Sequence, residues 1–547
     1  MAGDLEERAV DGLGGPNPFV GLRADDMTEA LAAIGAAMLR DPSILAGAQL
    51  SAWRAMASTE TPAADRRFAD RAWAETPGWT ALRRGYDAWA KALTGLADEA
   101  PLAADMRERA RFVLGLIADA AAPTNMLAGN PAALRRAAET GGASLVAGFN
   151  AWLRDVSENG GMPAQVDASG FAVGETVAAT PGAVVFRNEA LELIQYRPAT
   201  PEVHERPHLF VPPQINRFYI FDLAPGRSQV EHLLAQGFQV FMVSWRNPTA
   251  AERDWDLGTY VAALREAGEA VREITRAPDL ILHAACSGAM TAMVLAAVLA
   301  AEGDELIHAM TLMVAVLGTG PEAQLGLFTS PRAIAAAKRE VTRKGVLEGS
   351  EMGRVFAWMR PNDLVWSYWV NNYLMGEPPP RFDLLYWNSD TTRLPARFHG
   401  QLLDILSRGE LLTPGAVTVN GCAVDLRAIR ADKFILAGRT DHITPWKGVY
   451  ALTGALGGSN EFVLSSGGHV QSLVSPPGKG RHHVNPAPAA TPEDWLASAR
   501  EVAGSWWGRW TDWLAERSGP LRPAPEQLGS NRHAAEAAAP GRYVHDR

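Results

Sequence analysis

The stretch Asp279–Met290 reads DLILHAACSGAM and joins a strand pattern, a tight turn and the start of a helix pattern. A short apolar run ends in a small-x-Cys-x-Gly turn, and an Ala-rich segment without Gly or Pro follows. Such a turn needs small residues two positions before and after its centre, where Ala284 and Gly288 stand. A cysteine at a helix N-terminus gains from the helix dipole and free N–H groups, which favour a thiolate and a developing oxyanion. The stretch therefore predicts that Cys286 is a nucleophile that forms covalent acyl intermediates.

Strand-like runs alternate with helical patterns on both sides of this turn. A β-hairpin pattern, Ala183–Phe186 followed by Leu191–Tyr196, comes first. The later apolar runs are Leu209–Val211, Gln239–Val243, Leu280–Leu282, Thr311–Val316, Phe434–Ala437 and Glu461–Leu464. This alternation predicts an α/β protein with a parallel, doubly wound sheet that helices cover on both faces. Together with the turn at Cys286, it predicts the α/β-hydrolase fold.

The chain divides into regions of different pattern. Its first part reads as helices, and the turn-rich segment Glu158–Pro163 marks a break. We therefore expect a mainly helical N-terminal domain over residues 1–170 and a catalytic domain over residues 171–547. Between about residues 320 and 400 the strand signal lapses and aromatic residues cluster, which predicts a cap or lid inserted in the catalytic domain. A Pro/Ala-rich tail over about residues 519–547 is expected to be flexible.

Composition excludes several classes of protein. The 547 residues include 51 Lys and Arg against 61 Asp and Glu, a formal charge of −10, so nucleic acid is not an expected partner. The two cysteines, Cys286 and Cys422, make no disulfide framework, which suits a reducing cytoplasm. The first residues lack the apolar segment of a secretory signal, and the longest apolar stretch, Ala289–Ala301, is shorter than the roughly 18–20 residues of a spanning helix. We expect a cytoplasmic protein with no transmembrane segment, and attachment to a surface stays open.

No cofactor and no metal are expected. The segment Gly318–Ala323 superficially resembles a dinucleotide fingerprint, but Glu322 would bring negative charge to the pyrophosphate, and the segment does not open a βαβ unit. The histidines lack metal-binding spacing such as H-E-x-x-H, and no P-loop is present. We interpret His283, inside a strand run, as a hydrogen-bonded core residue, and Cys422 as an inert small side chain.

A nucleophilic cysteine needs a base, and the base needs an acid that orients it. In this fold the acid follows a late strand and the histidine follows the last strand, so the chain order is nucleophile, acid, base. The last two apolar runs lead into Asp441 and His469 in that order. The predicted triad is thus Cys286 as nucleophile, His469 as general base and Asp441 as the orienting acid. His442, next to Asp441, is an alternative base in a different geometry, but we interpret it as a structural loop histidine because neighbouring side chains diverge.

The oxyanion hole of this fold uses the backbone N–H after the nucleophile and one from the loop after an early strand. The first would be Ser287, and the loop is Pro212–Asn216. Its two prolines have no N–H to donate, so Gln214 or Ile215 is the expected second donor. Loss of one such donor typically raises the barrier by about 3 kcal/mol.

Longer motifs along the chain point to a particular family. They are APTN (122–125), NPAA (130–133), VPPQINRFY (211–219), VSWRNP (243–248), WNSDTTRLP (387–395), DHITPW (441–446) and YVHDR (543–547). In this order they resemble the polyhydroxyalkanoate (PHA) synthases, specifically the class II, medium-chain-length type. The family's box around the nucleophile reads Gly-x-Cys-x-Gly-Gly, and this chain departs from it with Ala284 and Ala289 in place of the first and last glycines.

The resemblance carries expectations about chemistry and partners. By position it places the family's nucleophile on Cys286, its acid on Asp441 and its base on His469. It implies a polymerase of (R)-3-hydroxyacyl-CoA thioesters that releases CoA, with His469, and Asp441 as a further candidate, activating the 3-hydroxyl group. It also implies a homodimer that acts on a growing polyester chain at the surface of cytoplasmic PHA granules, where granule-associated proteins are candidate partners.

Two other functions share these features. An acyl-CoA thioesterase or another acyltransferase would use the same triad but admit water or a different acceptor. A granule-binding protein without activity would have no need of Cys286 and His469. A Trp-rich helix is expected from Trp495 to Leu514; its tryptophans either touch a granule or dock the helix on the catalytic domain, and we favour docking slightly.

Overall fold

The computed structural model describes residues 24–57, 64–315, 317–318, 330–359, 361–441 and 443–547. They group into two units. Unit 1 holds the described residues up to Asp167 together with Arg354–Phe382, and unit 2 holds Ala168–Gly353 and Asp383–Arg547. This grouping differs from the predicted division, because Arg354–Phe382, inside the predicted cap, belong with the N-terminal helices.

Unit 1 is helical, as its periodicity predicts. Its helices before residue 160 are α1 (Ala24–Arg40), α2 (Ser43–Ala57), α3 (Ala72–Glu75), α4 (Pro77–Glu99), α5 (Ala104–Ala120), α6 (Pro131–Glu139) and α7 (Ala143–Glu158). Proline opens α4 and α6, where its missing N–H costs nothing, and the Asn130 side chain caps α6 by accepting from the Ala133 N–H. Small and aliphatic side chains of α1, α2, α4 and α5 form one apolar core.

Arg354–Phe382 add two π-helical segments, Asn362–Trp366 and Trp369–Leu374, to unit 1. Two hydrogen bonds attach the second segment to the N-terminal helices. The Trp369 Nε1–H donates to the Asn125 carbonyl at 3.1 Å, and the Tyr373 hydroxyl donates to Asp155 Oδ2 at 2.7 Å. Part of the aromatic cluster of the predicted cap is therefore a structural part of the helical unit.

Unit 2 is built on a mixed sheet. The strands are β1 (Gly182–Arg187), β2 (Leu191–Tyr196), β3 (Glu202–His204), β4 (Pro207–Val211), β5 (Gln239–Trp245), β6 (Leu280–Ala285), β7 (Ile307–Met313), β8 (Val346–Leu347), β9 (Leu394–Pro395), β10 (Thr418–Val419), β11 (Cys422–Ala423), β12 (Asp432–Gly438), β13 (Asn460–Ser465), β14 (Arg481–Val484), β15 (Arg500–Ala503), β16 (Leu521–Pro523) and β17 (Ala537–Ala538). The α-helices of the described chain after residue 160 are α8 (Gln229–Ala235), α9 (Leu257–Thr275), α10 (Cys286–Glu302), α11 (Pro331–Lys344), α12 (Gly349–Met359), α13 (Asp383–Ser389), α14 (Ala396–Arg408), α15 (Trp446–Tyr450), α16 (Leu452–Ala455), α17 (His469–Leu473), α18 (Pro492–Ser498) and α19 (Trp507–Ala515). From Arg354 onward, α12 belongs to unit 1.

The main sheet of the described residues has the order β15-β14-β13-β12-β7-β6-β4-β5-β2-β1-β17. Its centre, from β13 to β5, is parallel, and its edges are antiparallel. Every residue of β4, β5 and β6 is buried, as expected for parallel strands covered on both faces. The α/β-hydrolase fold and the hairpin of β1 and β2 are confirmed.

Three sequence predictions need correction. First, β13 is the last parallel strand but not the last strand, because antiparallel β14 and β15 follow it. Second, the predicted Trp-rich helix is two helices, α18 and α19, separated by β15. Its tryptophans are buried, with Trp510 fully enclosed and its Nε1–H donating to Thr311 Oγ1 at 2.9 Å. The docking interpretation is therefore confirmed.

Third, the tail that we expected to be flexible is packed along unit 2. Its strand β16 pairs with β3, and β17 pairs with β1 at one edge of the main sheet. The Pro/Ala-rich composition concealed these contacts, since they use backbone groups rather than a hydrophobic side-chain pattern.

Among the described residues no single helix is long and apolar enough to cross a membrane. The bent pair Met27–Arg40 and Ser43–Ala57 meets the length and composition criteria only when its two helices are taken together.

Candidate active site

The turn between β6 and α10 has the geometry of a nucleophile elbow. Cys286, the first residue of α10, has φ of 49°, a left-handed value that non-glycine residues adopt rarely and chiefly at functional sites. A Cβ on Gly288 would lie 2.5 Å from the carbonyl oxygens of Val211 and Pro212, so only glycine fits there. Ala284 and Ala289 are fully buried, and the chain accommodates the methyl group that each adds. The elbow thus presents a partly exposed Cys286 at the carboxyl end of the central strand.

Asp441 and His469 follow the carboxyl ends of β12 and β13, which are adjacent strands of the sheet. The parallel register pairs Gly438 with Ser465, which brings the loops after these strands side by side. A Cβ on Gly438 would lie 2.8 Å from the Gly467 carbonyl oxygen, so the glycine permits this close approach. As a result, His469 Nδ1 lies 2.7 Å from Asp441 Oδ2.

The Asp441 carboxylate is held from several sides. Its Oδ1 accepts from the backbone N–H groups of Ile443 and Thr444, each at 2.9 Å. Its Oδ2 accepts from the Thr444 hydroxyl at 2.7 Å in addition to the imidazole. The Asp441 side chain has no exposed surface, so its orientation and that of His469 are set before any substrate binds.

The Cys286 side chain completes the group, because it lies within hydrogen-bonding reach of the His469 side chain. Burial by itself lowers the pKa of His469, but the charge and hydrogen bond of Asp441, and then the Cys286 side chain, raise it to about 10. His469 therefore binds a proton more readily than a free imidazole does, and it faces Asp441 on one side and Cys286 on the other.

The loop Pro212–Arg217, which we call the oxyanion loop, runs beside the elbow. The Gln214 N–H donates to Ser287 Oγ at 3.1 Å, so that N–H is already engaged. Within the part of the chain that the structure describes, no partner is found for the Ile215 N–H. Of the two donors left open by the sequence, Ile215 is thus the one that is available.

Sequence reasoning missed two threonines that support the site. Thr444 supports Asp441 and lies 3.3 Å from His469 Nδ1, and the Thr392 hydroxyl donates to the Gln214 carbonyl in the oxyanion loop at 2.7 Å. Both lie inside motifs that we recognised, DHITPW (441–446) and WNSDTTRLP (387–395). Membership of these motifs could have marked the two threonines as site residues, but only the tertiary structure shows what they contact.

The other candidates lie away from this group or outside the described residues. His283 is fully buried in β6, and its Nε2 lies 2.8 Å from His208 Nδ1, which confirms it as a core residue. Cys422 lies in β11, where its Sγ is 3.7 Å from the Ala423 carbonyl. His442 lies outside the described residues, as do Thr319–Ala323 of the dinucleotide-like segment.

The fold and the elbow define an α/β hydrolase-type protein, and residues 221–476 match the family described as alpha/beta hydrolase fold. Residues 64–233 match the family described as Poly-beta-hydroxybutyrate polymerase (PhaC) N-terminus. The chain is 45% identical over 553 residues to Poly(3-hydroxyalkanoate) polymerase 1 of Ectopseudomonas oleovorans, covering 100% of this chain and 99% of that protein. It is 44% identical over 538 residues to polymerase 2 of the same organism, covering 96% of each. The chain therefore belongs to the poly(3-hydroxyalkanoate) polymerase family, whose members are acyltransferases.

Among solved structures, the monoacylglycerol lipase of Paleococcus ferrophilus matches with a TM-score of 0.33 at 13% identity, over 60% of this chain and 99% of that chain. A likeness this low adds nothing to the family assignment, which rests on the near-complete coverage of the relatives.

Proposed function

We propose that the protein polymerises (R)-3-hydroxyacyl-CoA into a polyester through acyl groups carried on Cys286. The observation that supports this most is the chain of contacts from Asp441 to His469 to Cys286, at the carboxyl ends of parallel strands of one sheet, in a member of this family. A base that is already oriented and a strained cysteine at a helix N-terminus are what acyl transfer through a thioester requires.

Acylation begins when His469, the general base, takes the proton of the Cys286 thiol. The sulfur attacks the thioester carbonyl carbon, and the backbone N–H groups of Ser287 and Ile215 stabilise the oxyanion of the tetrahedral intermediate. The intermediate collapses by breaking its bond to the CoA sulfur, and His469 gives its proton to that sulfur. The products are acyl-Cys286, CoA in its thiol form and neutral His469.

Elongation uses the neutral imidazole that acylation leaves. His469 takes the proton of a 3-hydroxyl group on another unit or chain, and the oxygen attacks the acyl-Cys286 carbonyl. A new ester forms, Cys286 leaves as a thiolate, and His469 is again protonated, so the cycle is balanced. Because the Asp441 side chain is fully buried and both its oxygens accept hydrogen bonds, we assign it the orienting role and leave hydroxyl activation to His469.

Cys286 acylation and polymer formation can be tested together. Purified protein is incubated with (R)-3-hydroxydecanoyl-CoA, and free CoA and insoluble polyester are measured in parallel. Cys286→Ala should form neither product, whereas Cys422→Ala, which changes the second cysteine, should form both. Release of CoA with free 3-hydroxydecanoate and no polymer would show a thioesterase instead, and equal activity of Cys286→Ala would refute the covalent route.

The preferred substrate is a medium-length 3-hydroxyacyl-CoA, an assignment supported by the resemblance to the class II type. The kcat/KM for (R)-3-hydroxydecanoyl-CoA should exceed that for (R)-3-hydroxybutyryl-CoA. The opposite ranking would reject the chain-length assignment without affecting the covalent route.

A cytoplasmic location at the polyester granule is the further part of this proposal, together with a homodimer and granule-associated partners. One face of α7 supports the attachment. Gly148 on its inner face leaves no room for a Cβ beside the Tyr373 carbonyl. The outer face exposes large apolar side chains at helical spacing, with the Phe149 and Trp152 rings stacked 5.7 Å apart. The exposed residues are Val146, Phe149, Trp152, Leu153 and Val156.

Charges on this face should release the protein from the granule. In cells that make polyester, Phe149→Glu combined with Trp152→Glu should move the protein from the granule pellet to the supernatant. The matched control, Ser157→Glu, puts a carboxylate on an exposed polar position of the same helix and should stay in the pellet. Equal partition of the two variants would exclude this face as the attachment surface.

A further inference from the structure

The oxyanion loop is held by its backbone carbonyl groups. The Trp245 Nε1–H donates to the Pro212 carbonyl and the Trp387 Nε1–H donates to the Arg217 carbonyl, both at 2.8 Å. Thr392 contacts the loop twice, since its hydroxyl donates to the Gln214 carbonyl and its N–H donates to the Ile215 carbonyl at 3.4 Å. Neighbouring segments thus fix the loop along its length. Because these hydrogen bonds hold the loop's carbonyl groups, they also set the direction of its backbone N–H groups.

The last residue of the loop, Arg217, is anchored through its side chain. Its guanidinium is almost completely buried, and its Nε lies 3.4 Å from Asp390 Oδ1. The two terminal nitrogens donate to backbone carbonyl groups of a segment far away in sequence, those of Tyr543, at 3.1 Å, and Asp546. The Arg547 guanidinium contacts the same oxygen, Asp390 Oδ1.

Residues 541–547, which we call the tail clasp, are themselves fixed to the main sheet. Glu192 Oε2, on β2, accepts from the backbone N–H groups of Arg542 at 2.8 Å and Tyr543 at 2.9 Å. Gly541 has φ of 82°, and a Cβ there would lie 2.4 Å from Glu192 Oε2. The Asn247 Nδ2–H donates to the Asp546 carbonyl at 3.2 Å. Glycine at 541 is therefore needed for the clasp to reach both Glu192 and Arg217.

We propose that the tail clasp is a positioning element that holds the oxyanion loop in place through Arg217. The clasp residues touch no reacting atom. Their carbonyl groups accept from both terminal nitrogens of Arg217, and Arg217 fixes the end of the loop whose Ile215 N–H we assign to the oxyanion. Donors that are placed before the reaction contribute to catalysis because they need no reorganisation, so a loop that drifts should slow acylation. The catalytic part of this inference rests on the proposed function.

The principal test variant is Gly541→Ala, which adds a methyl group against Glu192 and should displace the clasp. A second variant ends the chain at Pro540, and a synthetic peptide of residues 541–547 is added back to it. The matched control is Arg532→Ala, which removes an exposed ion pair with Glu273 from the same tail, away from the loop. Should Gly541→Ala fold poorly, the shortened chain with and without the peptide answers the same question.

The first measurement is hydrogen exchange of the Gln214 amide, whose N–H donates to Ser287 Oγ, and it needs no activity. Gly541→Ala and the shortened chain should exchange this amide about tenfold faster than the parent, the peptide should restore protection, and Arg532→Ala should match the parent. Unchanged protection in Gly541→Ala and in the shortened chain, or an equal loss in Arg532→Ala, overturns the proposal.

The second measurement separates positioning from general damage. In Gly541→Ala the kcat for CoA release should fall about tenfold or more while KM stays near the parent's value, since removal of a whole oxyanion donor costs roughly 10²–10³-fold. The rate of Cys286 alkylation by iodoacetamide against pH should not change, because the clasp has no contact with the Cys286–His469–Asp441 group. A shifted alkylation profile means general damage and overturns the positioning role. If the parent itself releases no CoA, the proposed function fails, and the exchange measurement still decides the structural role of the clasp.

Discussion

Two groups of buried histidine in unit 2 have opposite electrostatics. His469 is buried next to Asp441, and its pKa is raised to about 10. His208 and His283 are buried against each other in β4 and β6; burial, and then the charge of His204, lowers the pKa of His208 to about 3, and burial also lowers the pKa of His283. Burial opposes the protonated form in both places, so the carboxylate of Asp441 decides the difference. Whether a buried histidine can carry a proton thus depends on the charge of its hydrogen-bond partner and not on burial itself.

Replacing one histidine from each group should give the largest difference in kcat between two variants. His469→Gln removes the proton carrier, and kcat for CoA release should fall on the order of 10⁶-fold, as for the base of a comparable triad. His283→Gln keeps hydrogen-bonding atoms in the core and should leave kcat near the parent's value while lowering the melting temperature. Initial rates with (R)-3-hydroxydecanoyl-CoA and thermal unfolding of both variants check this. A similar loss of kcat in His283→Gln would contradict the separation of the two groups.

Asp441→Asn should make His469 resemble the other group. Without the negative charge the pKa of His469 falls, and kcat should fall on the order of 10⁴-fold. The folded-state pKa of about 10 lies above the roughly 6.5 of an unfolded histidine, so the pair stabilises the protein fully below about pH 6.5 and loses this effect as pH rises through 10. The difference in melting temperature between parent and Asp441→Asn should therefore be greatest near pH 6 and shrink by pH 10. A difference that grows with pH would contradict the assignment.

The His208–His283 group should have the opposite pH dependence. The folded-state pKa of His208, about 3, lies below the unfolded value, so its contribution is present above about pH 6.5 and is lost as pH falls towards 3. Between these two pH values, one such histidine lowers the free energy of unfolding by about 1.4 kcal/mol for each unit by which the pH falls. This is a roughly tenfold change in the folding equilibrium constant. Denaturant unfolding at pH 7 and pH 5 should show a steeper acid loss for the parent than for His208→Gln. Equal losses would show that His208 does not titrate in this way.

Thr444→Val should give the smallest effect. It removes the hydroxyl that donates to Asp441 Oδ2 but keeps the backbone N–H bond and the shape of the side chain. One hydrogen bond to a charged group is worth about 1.5–3 kcal/mol, so kcat should fall by roughly tenfold to a hundredfold. Thr444→Ser, which keeps the hydroxyl, is the control and should retain most of the activity. A loss as large as that of Asp441→Asn would mean that Thr444 does more than hold the carboxylate.

The sequence was sufficient to place Cys286, Asp441 and His469 together because the order of the strands in the sheet determines which loops meet. Parallel strands end at one edge of the sheet, so residues that follow β6, β12 and β13 meet there whatever separates them in sequence. The requirement for a small residue at 288 followed from the tight turn, and the carbonyls of Val211 and Pro212 supply the steric reason.

Other features depend on contacts that leave no local pattern. The tail clasp binds Arg217 through backbone carbonyls, which every residue has, so composition alone suggested a flexible tail. Thr444 and Thr392 could be recognised as motif residues, but their partners are set by tertiary structure. Aromatic richness likewise did not separate Trp510, enclosed in unit 2, from Trp152, exposed on α7, because both occur in helical patterns with apolar neighbours.

The most direct test of the covalent mechanism is intact-protein mass spectrometry after brief exposure to (R)-3-hydroxydecanoyl-CoA. The parent and Cys422→Ala should gain mass in whole multiples of the 3-hydroxydecanoyl repeat, and proteolysis should place that mass on Cys286. Cys286→Ala should gain none. Polymer formation with no mass on Cys286, or the same added mass in Cys286→Ala, would contradict the proposal that the polyester grows from this thiol.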